Sequence, residues 1–204
     1  MIRRALAIAS ALVLSLGFTA MKTQAATIWT DWTSGTNGNT ALSLGSASGT
    51  LNGVGVTYSG EVIGSVTNGA SGIWSPNTSF VGGTVTASPS VVNDDIRLAG
   101  NFDGTNTITF AVPVENPLVA IWSLGAPGIP ASFTFSATPT LQAGGPNTDF
   151  GGSSITVASN VVNGNEGNGV VQLTGTFSSI SWTDTPEFFY AFTVGANGPL
   201  GPPT

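Results

Sequence analysis

The sequence contains no histidine and no cysteine, and beyond residue 25 it contains no lysine. Each absence removes a class of chemistry. Without imidazole there is no Ser-His-Asp triad and no histidine zinc site, and without thiol there is no cysteine nucleophile and no thiolate metal site. A Schiff-base lysine and a phosphate-cradling lysine are excluded beyond residue 25 as well. Stability has to come from packing and backbone hydrogen bonding, because no disulfide can form.

Charge is also scarce, at 7% of residues. Arg3, Arg4 and Lys22 lie in the first 25 residues, so Arg97 is the one basic residue beyond them, against ten acids, a net charge of −9. Such a surface repels phosphate backbones, which makes nucleic acid and anionic lipid poor partners. At the N-terminus, Arg3 and Arg4 precede an uncharged, mostly apolar run over residues 5–20 and a short polar stretch ending at Ala25. This is the pattern of a secretory signal peptide, with small residues Thr23 and Ala25 ahead of the expected cleavage point. The apolar run falls short of the ~20 residues that span a bilayer, and no later stretch is long and apolar enough to do so.

What remains is rich in Gly, Ser, Thr and Asn and carries apolar periodicity of two. "TITFAV" sets Ile108, Phe110 and Val112 on one face; "ASFTFSA" does so with Phe133 and Phe135, and "EFFYAFTV" with Phe188, Tyr190, Phe192 and Val194. These predict half-buried strands. "LVAIWSL", residues 118–124, is apolar on both faces, as a central strand covered on both sides would be. In "VVQLTGTFSSISW" the apolar phase runs through Val171, Leu173 and Phe177 and then switches to Ile180 and Trp182, which predicts a bulge or break near Ser178 and Ser179. Turn signals separate these runs, at residues 102–106, 125–130 and 144–152. No amphipathic helical window follows the signal peptide, and no fixed repeat supports a solenoid. The expectation is an all-β chain: one antiparallel β-sandwich domain of about ten short strands, jelly-roll-like, over residues 26–195, with residues 196–204 as a flexible Gly/Pro-rich tail.

Two-carboxylate glycoside hydrolysis survives the exclusions, since it needs only a pair of acids across a cleft. Of the ten acids, only Asp94 and Asp95 adjoin, and strand neighbours point to opposite faces. The acids read as solvated loop residues, and no catalytic residue is assigned. The most site-like stretch is "NGNEGNGVVQ", residues 163–172. It reads as a connector between strands, because Asn and Gly tolerate the left-handed backbone of tight turns. The alternative is a weak calcium loop with Asn163, Asn165 and Glu166 as oxygen donors, without the EF-hand order of acids. Of five tryptophans, Trp122 and Trp182 read as core and Trp29 and Trp32 lie near position 26; Trp74, between turn-rich stretches, is the candidate exposed platform for stacking on a sugar ring. Asp149-Phe150-Gly151 lacks the glycine loop and lysine of a kinase, and Asn77-Thr78-Ser79 is a formal glycosylation sequon.

Seven stretches in order, "IWTDWTSG", "GVGVTYSGEV", "SFVGGTV", "AIWSLGAPGIPASFTF", "AGGPNTDFGGSSITV", "GNEGNGVVQLTGTFSSISWT" and "YAFTVG", resemble the globular part of bacterial PEP-CTERM sorted proteins. The resemblance covers nearly all of residues 26–195. It implies export from a Gram-negative bacterium, processing by a membrane exosortase and association with exopolysaccharide and biofilm; the globular regions of such proteins vary and mostly have no known activity. Those proteins end in Val-Pro-Glu-Pro, an apolar helix and a basic cluster, whereas this sequence ends in "GPLGPPT" with none of the three. That leaves truncation ahead of the sorting segment, or release without one. The functional expectation is a secreted or cell-surface, non-enzymatic protein of the envelope or extracellular matrix. A calcium-assisted carbohydrate-binding module is the alternative, with a two-carboxylate glycosidase behind it.

Expression in a Gram-negative host tests the export expectation. The exported product should begin at Ala26 by intact-mass spectrometry, and a product retaining Met1 would contradict cleavage.

Overall fold

The computed structural model describes residues 25–40, 43–67, 72–90, 94–198 and 200. The expected signal peptide lies outside the described residues up to position 24, as do residues 199 and 201–204 of the expected tail. In chain order the strands are β1 (Thr27–Trp29), β2 (Asp31–Thr40), β3 (Ser43–Leu51), β4 (Val54–Gly60), β5 (Gly64–Val66), β6 (Asp95–Leu98), β7 (Asn106–Glu115) and β8 (Leu118–Leu124). They continue as β9 (Ala131–Phe135), β10 (Pro139–Gly144), β11 (Ser153–Ser154), β12 (Thr156–Ala158), β13 (Val161–Gly164), β14 (Gly167–Leu173), β15 (Thr176–Asp184) and β16 (Tyr190–Asn197). The helical content among the described residues is one 3₁₀ turn at Asn77–Ser79.

Two sheets pack into a sandwich. The first has the order β10-β14-β8-β16-β6-β5, with β1 added beside β16 and β11 beside β14; the second runs β12-β13-β9-β15-β7-β4-β3-β2. Pairing is antiparallel throughout except for the short parallel match of β11 to β14. From β7 to β16 the chain passes back and forth between the sheets, so most neighbours in the first sheet are remote in sequence. The all-β sandwich expected from the alternation is therefore present. Among the described residues there are sixteen strands against the roughly ten expected; four of the additional ones, β1, β5, β11 and β12, have only two or three residues each, too few to show a period.

The alternating segments behave as their patterns require. Ile108 and Phe110 of β7 and Phe133 and Phe135 of β9 point into the core between the sheets, but Val112, inside the register break against β15, is only half-buried and Val114 takes the core position in its place. The phase switch in β15 is a real irregularity: its register against β7 shifts between Phe177 and Ser179. Every residue of β8 is buried, because the strand lies between β14 and β16 and is covered on both faces. Val119 and Ile121 enter the main core, whereas Leu118, Ala120 and Trp122 face outward into a second apolar cluster completed by Ile73, Trp74, Phe80 and Val85. Residues 72–90 thus form a third layer over the first sheet.

Two expectations at the C-terminal end need correction. β16 starts at Tyr190, not at Phe188, and is buried on both faces rather than half-buried. It also runs to Asn197, two residues past the expected end of the domain, because Thr27 and Ile28 of β1 pair with Asn197 and Ala196.

Trp182 is the hub of the main core. It stacks on Tyr58 and Phe133 at centroid distances of 6.0 and 5.5 Å and meets Phe192 edge-on at 5.0 Å. Its indole N–H has no hydrogen-bond partner among the described residues, so the ring stabilises through burial and stacking. Replacing Trp182 by Ala should cost about 3–5 kcal/mol in denaturant unfolding. Trp182→Phe should cost less than half as much, since it keeps a ring and removes an unmade hydrogen bond; equal losses would contradict this account.

Candidate functional site

One end of the first sheet carries a cavity of about 230 Å³ lined by Ser123, Ala126, Phe150, Glu166, Glu187, Phe188 and Phe189. Four connections converge there: the end of β8 and its following turn, the 144–152 loop, the two-residue link from β13 to β14, and the link from β15 to β16. The antiparallel register brings them together, since Leu124 of β8 pairs with Gly167 of β14, while Trp122 pairs with Ala191 of β16.

Ser123 and Glu166 both have φ of +56°, a conformation that non-glycine residues seldom adopt and that persists only where surroundings impose it. Here they hold each other, the Ser123 hydroxyl donating to Glu166 Oε2. The Glu166 amide donates to the Gly125 carbonyl at 2.9 Å, which fixes the link from the backbone side. Asn168, fully buried, ties the surroundings together. Its Oδ1 accepts from the Ser123 amide at 2.8 Å and from Asn147 Nδ2 at 2.9 Å, and its Nδ2 donates to the Glu166 carbonyl at 2.9 Å. Asn147 in turn accepts the amides of Asp149 and Phe150 on its Oδ1, at 2.9 and 2.6 Å, which presents the Phe150 ring. Gly152, at φ +74°, passes so close that a Cβ would sit 1.9 Å from the Glu166 carbonyl oxygen; only glycine fits there.

Glu187 faces the same cavity. Its Oε1 accepts the Phe189 amide at 2.9 Å, and its Oε2 is buried without a hydrogen-bond partner among the described residues. Burial pushes its carboxyl up to about 7; the Phe189 N–H offsets part of this, and the neighbouring Glu166 carboxylate raises it further. The aromatic wall is continuous with the outer apolar layer, since Trp122 lies 5.5 Å from Phe150 and 5.7 Å from Phe189. Phe188 and Phe150 remain 73% and 52% exposed, unusual for large apolar side chains grouped around one cavity.

The sequence-based candidates fare differently. Trp74 is fully buried and packs edge-on against Phe80 at 5.3 Å. It anchors the layer over the first sheet and is no exposed sugar platform, because the outward face of β8 needs an apolar cover. The stretch 163–172 is mostly strand, contrary to the expectation of a connector: Asn163 and Gly164 end β13, residues 167–172 belong to β14, and only Asn165 and Glu166 form the link that crosses from one sheet to the other. Its three oxygen donors do not converge. Asn163 and Asn165 border a separate open depression with Ser153, Ser154 and Thr156, and Asn165 Oδ1 accepts the Gly128 amide at 3.3 Å, whereas Glu166 turns into the aromatic cavity. No group of three or more His, Cys, Asp or Glu that could hold a metal occurs among the described residues. The sequon's Asn77 and Thr78 are exposed, and the Ser79 hydroxyl is turned inward to the Pro146 carbonyl.

The acids are not all solvated loop residues. Glu61, Asp94, Asp95 and Glu166 are buried. Glu61 Oε2 accepts the amides of Ala99 and Gly100 at 2.8 and 2.6 Å, with Oε1 accepting that of Asn101 at 3.3 Å. Asp94 accepts the Trp32 amide at 2.9 Å, and Asp95 pairs with Arg97 at 2.9 Å. Ser123, Phe150, Glu187, Phe188 and Phe189 were not legible as a site. One signal was present: Pro186 cannot donate to a ladder and marks a break ahead of "EFFYAFTV", and the Glu187 side chain then captures the Phe189 amide that a strand would have used.

Asp184 belongs to an interior network, accepting from Asn106 Nδ2 at 3.0 Å, while the Tyr58 hydroxyl donates to Asn106 Oδ1. Burial raises its carboxyl to about 7, partly offset by the Tyr190 hydroxyl, with Glu61 adding to the rise. Folded protein therefore holds a proton that the unfolded chain releases near pH 4, so this group's contribution to stability falls as pH rises from about 4 to 7. Asp184→Asn should flatten that decline, gaining on the order of a few kcal/mol over the parent between pH 4.5 and 8 in thermal or denaturant unfolding; parallel pH profiles would contradict it. No protein-family model, curated protein or solved structure matches the chain, so what the cavity does has to be argued from its own residues.

Proposed function

We propose that this chain is a secreted, non-enzymatic sandwich protein of the cell envelope or extracellular matrix that works by contact with extracellular polysaccharide. The observation that supports the reading is the rigidly framed cavity at one end of the first sheet, with exposed Phe150 and Phe188 rings beside hydrogen-bonding carboxylates. Aromatic faces with a few fixed polar groups are what a sugar ring needs for stacking and orientation. The absence of histidine, cysteine and, beyond residue 25, lysine removes imidazole, thiol and primary-amine chemistry. The likeness to PEP-CTERM sorted proteins supports the same setting of export and exopolysaccharide association.

A second reading, glycoside hydrolysis, has one observation in its favour: Glu166 and Glu187 line one cavity, and the Glu187 carboxyl is raised to about 7, as a general acid requires. Turnover separates the two readings.

The test uses purified residues 26–204 and the extracellular polysaccharide of the producing organism. Saturable binding without release of reducing ends is expected, and Phe188→Ala should weaken it roughly tenfold, about 1.4 kcal/mol. Chelator should leave binding unchanged, because the three oxygen donors of residues 163–166 do not meet. Steady substrate conversion abolished by Glu187→Gln would replace this reading with the hydrolase, and absence of any polysaccharide binding would overturn it.

A further inference from the structure

We propose that the cavity between Glu166 and Glu187 binds the ammonium group of an amino sugar, with the aromatic rings packing on the ring that carries it; this rests on the polysaccharide-contact reading above. The cavity pairs two features that together select a cation. Two carboxylates enter it from different connections, and no basic side chain lines it. Glu166 is held from one side by Ser123, and Glu187 from the other by the Phe189 amide, which leaves Glu187 Oε2 buried with no donor among the described residues. Like charges sharing a low-dielectric space repel, and a cation between them removes the repulsion and supplies the missing hydrogen-bond donors.

The walls point the same way. Phe150, Phe188 and Phe189 surround the carboxylates, with Trp122 behind Phe150 and Phe189. Ring faces carry negative quadrupole density and attract ammonium groups, most strongly where water is excluded. At about 230 Å³ the space is smaller than the roughly 300–1,000 Å³ of sites for drug-sized ligands, which suits a single charged sugar unit and not an extended chain lying inside. The net charge of −9 beyond residue 25 adds a long-range field that draws cationic polymer toward the protein.

Glu187 sets the pH response. The titratable groups that act on or feel it are Glu166 across the cavity and Tyr190 on β16, and neither carries positive charge. Its ionisation near pH 7 therefore strengthens the cavity's pull on a cation.

The probes are glucosamine oligosaccharides, their N-acetylated counterparts of equal length, and tetramethylammonium, whose charge does not titrate. Calorimetry or NMR titration of residues 26–204 should show the glucosamine form at least tenfold tighter than the acetylated form. Tetramethylammonium should bind more weakly than the glucosamine form, with affinity rising between pH 6 and 8. Glu187→Gln, which keeps the acceptor for the Phe189 amide, should lower affinity for both cations at least tenfold and remove the pH dependence. Phe188→Ala, at an exposed position, should weaken both without altering the circular dichroism spectrum. Equal binding of free and acetylated forms would overturn the ammonium assignment and leave polysaccharide contact standing. Binding of tetramethylammonium without the glucosamine form would overturn the amino-sugar assignment, and binding of neither would overturn the proposal.

Discussion

The first sheet must be covered on both faces, and the rest of the molecule follows from that requirement. β8 is apolar at nearly every position and lies in the middle of its sheet, so packing against the second sheet satisfies only half of it. Exposed apolar surface costs roughly 25 cal/mol per Å², and Leu118, Ala120, Trp122 and Val170 would all face water without a further layer. Residues 72–90 supply that layer through Ile73, Trp74, Phe80 and Val85. Trp122 is the last ring under it. At that margin Phe150 and Phe189 continue the apolar surface, and the cavity opens where the cover runs out.

Scarcity of basic residues decides how the acids are accommodated. Arg97 pairs with Asp95, and the nine other acids far outnumber the basic residues. Several of them are held by backbone amides and hydroxyls: Glu61 by three successive amides, Asp94 by Trp32, Glu166 by Ser123, Glu187 by Phe189. Hydrogen bonds of this kind position a carboxylate without cancelling its charge. The result at the cavity is two acids held in place with no basic side chain lining it.

Much of the architecture was legible because it depends on local periodicity. The apolar run 118–124 announced a strand buried on both faces, and the phase switch around Ser178 announced a register break; both are present. The burial of Trp74 is not legible because its neighbours in sequence are turn residues, whereas in space it joins Phe80 in a cluster with the outward side chains of a strand 44 or more positions away. Alternation places Phe188 on a strand face, because it cannot register that the Glu187 side chain has taken over an amide of the ladder.

The sequence by itself determined the all-β class, the positions of the principal strands and the restriction of chemistry to carboxylates, amides, hydroxyls and rings. These are properties of residue type and of spacing over a few positions. Only the tertiary structure decided which tryptophans are buried, which acids leave the solvent, and that Glu166 and Glu187, 21 positions apart, share one cavity. Strands remote in sequence become neighbours through hydrogen-bond register across a sheet, and that register is set by the packing of the whole core.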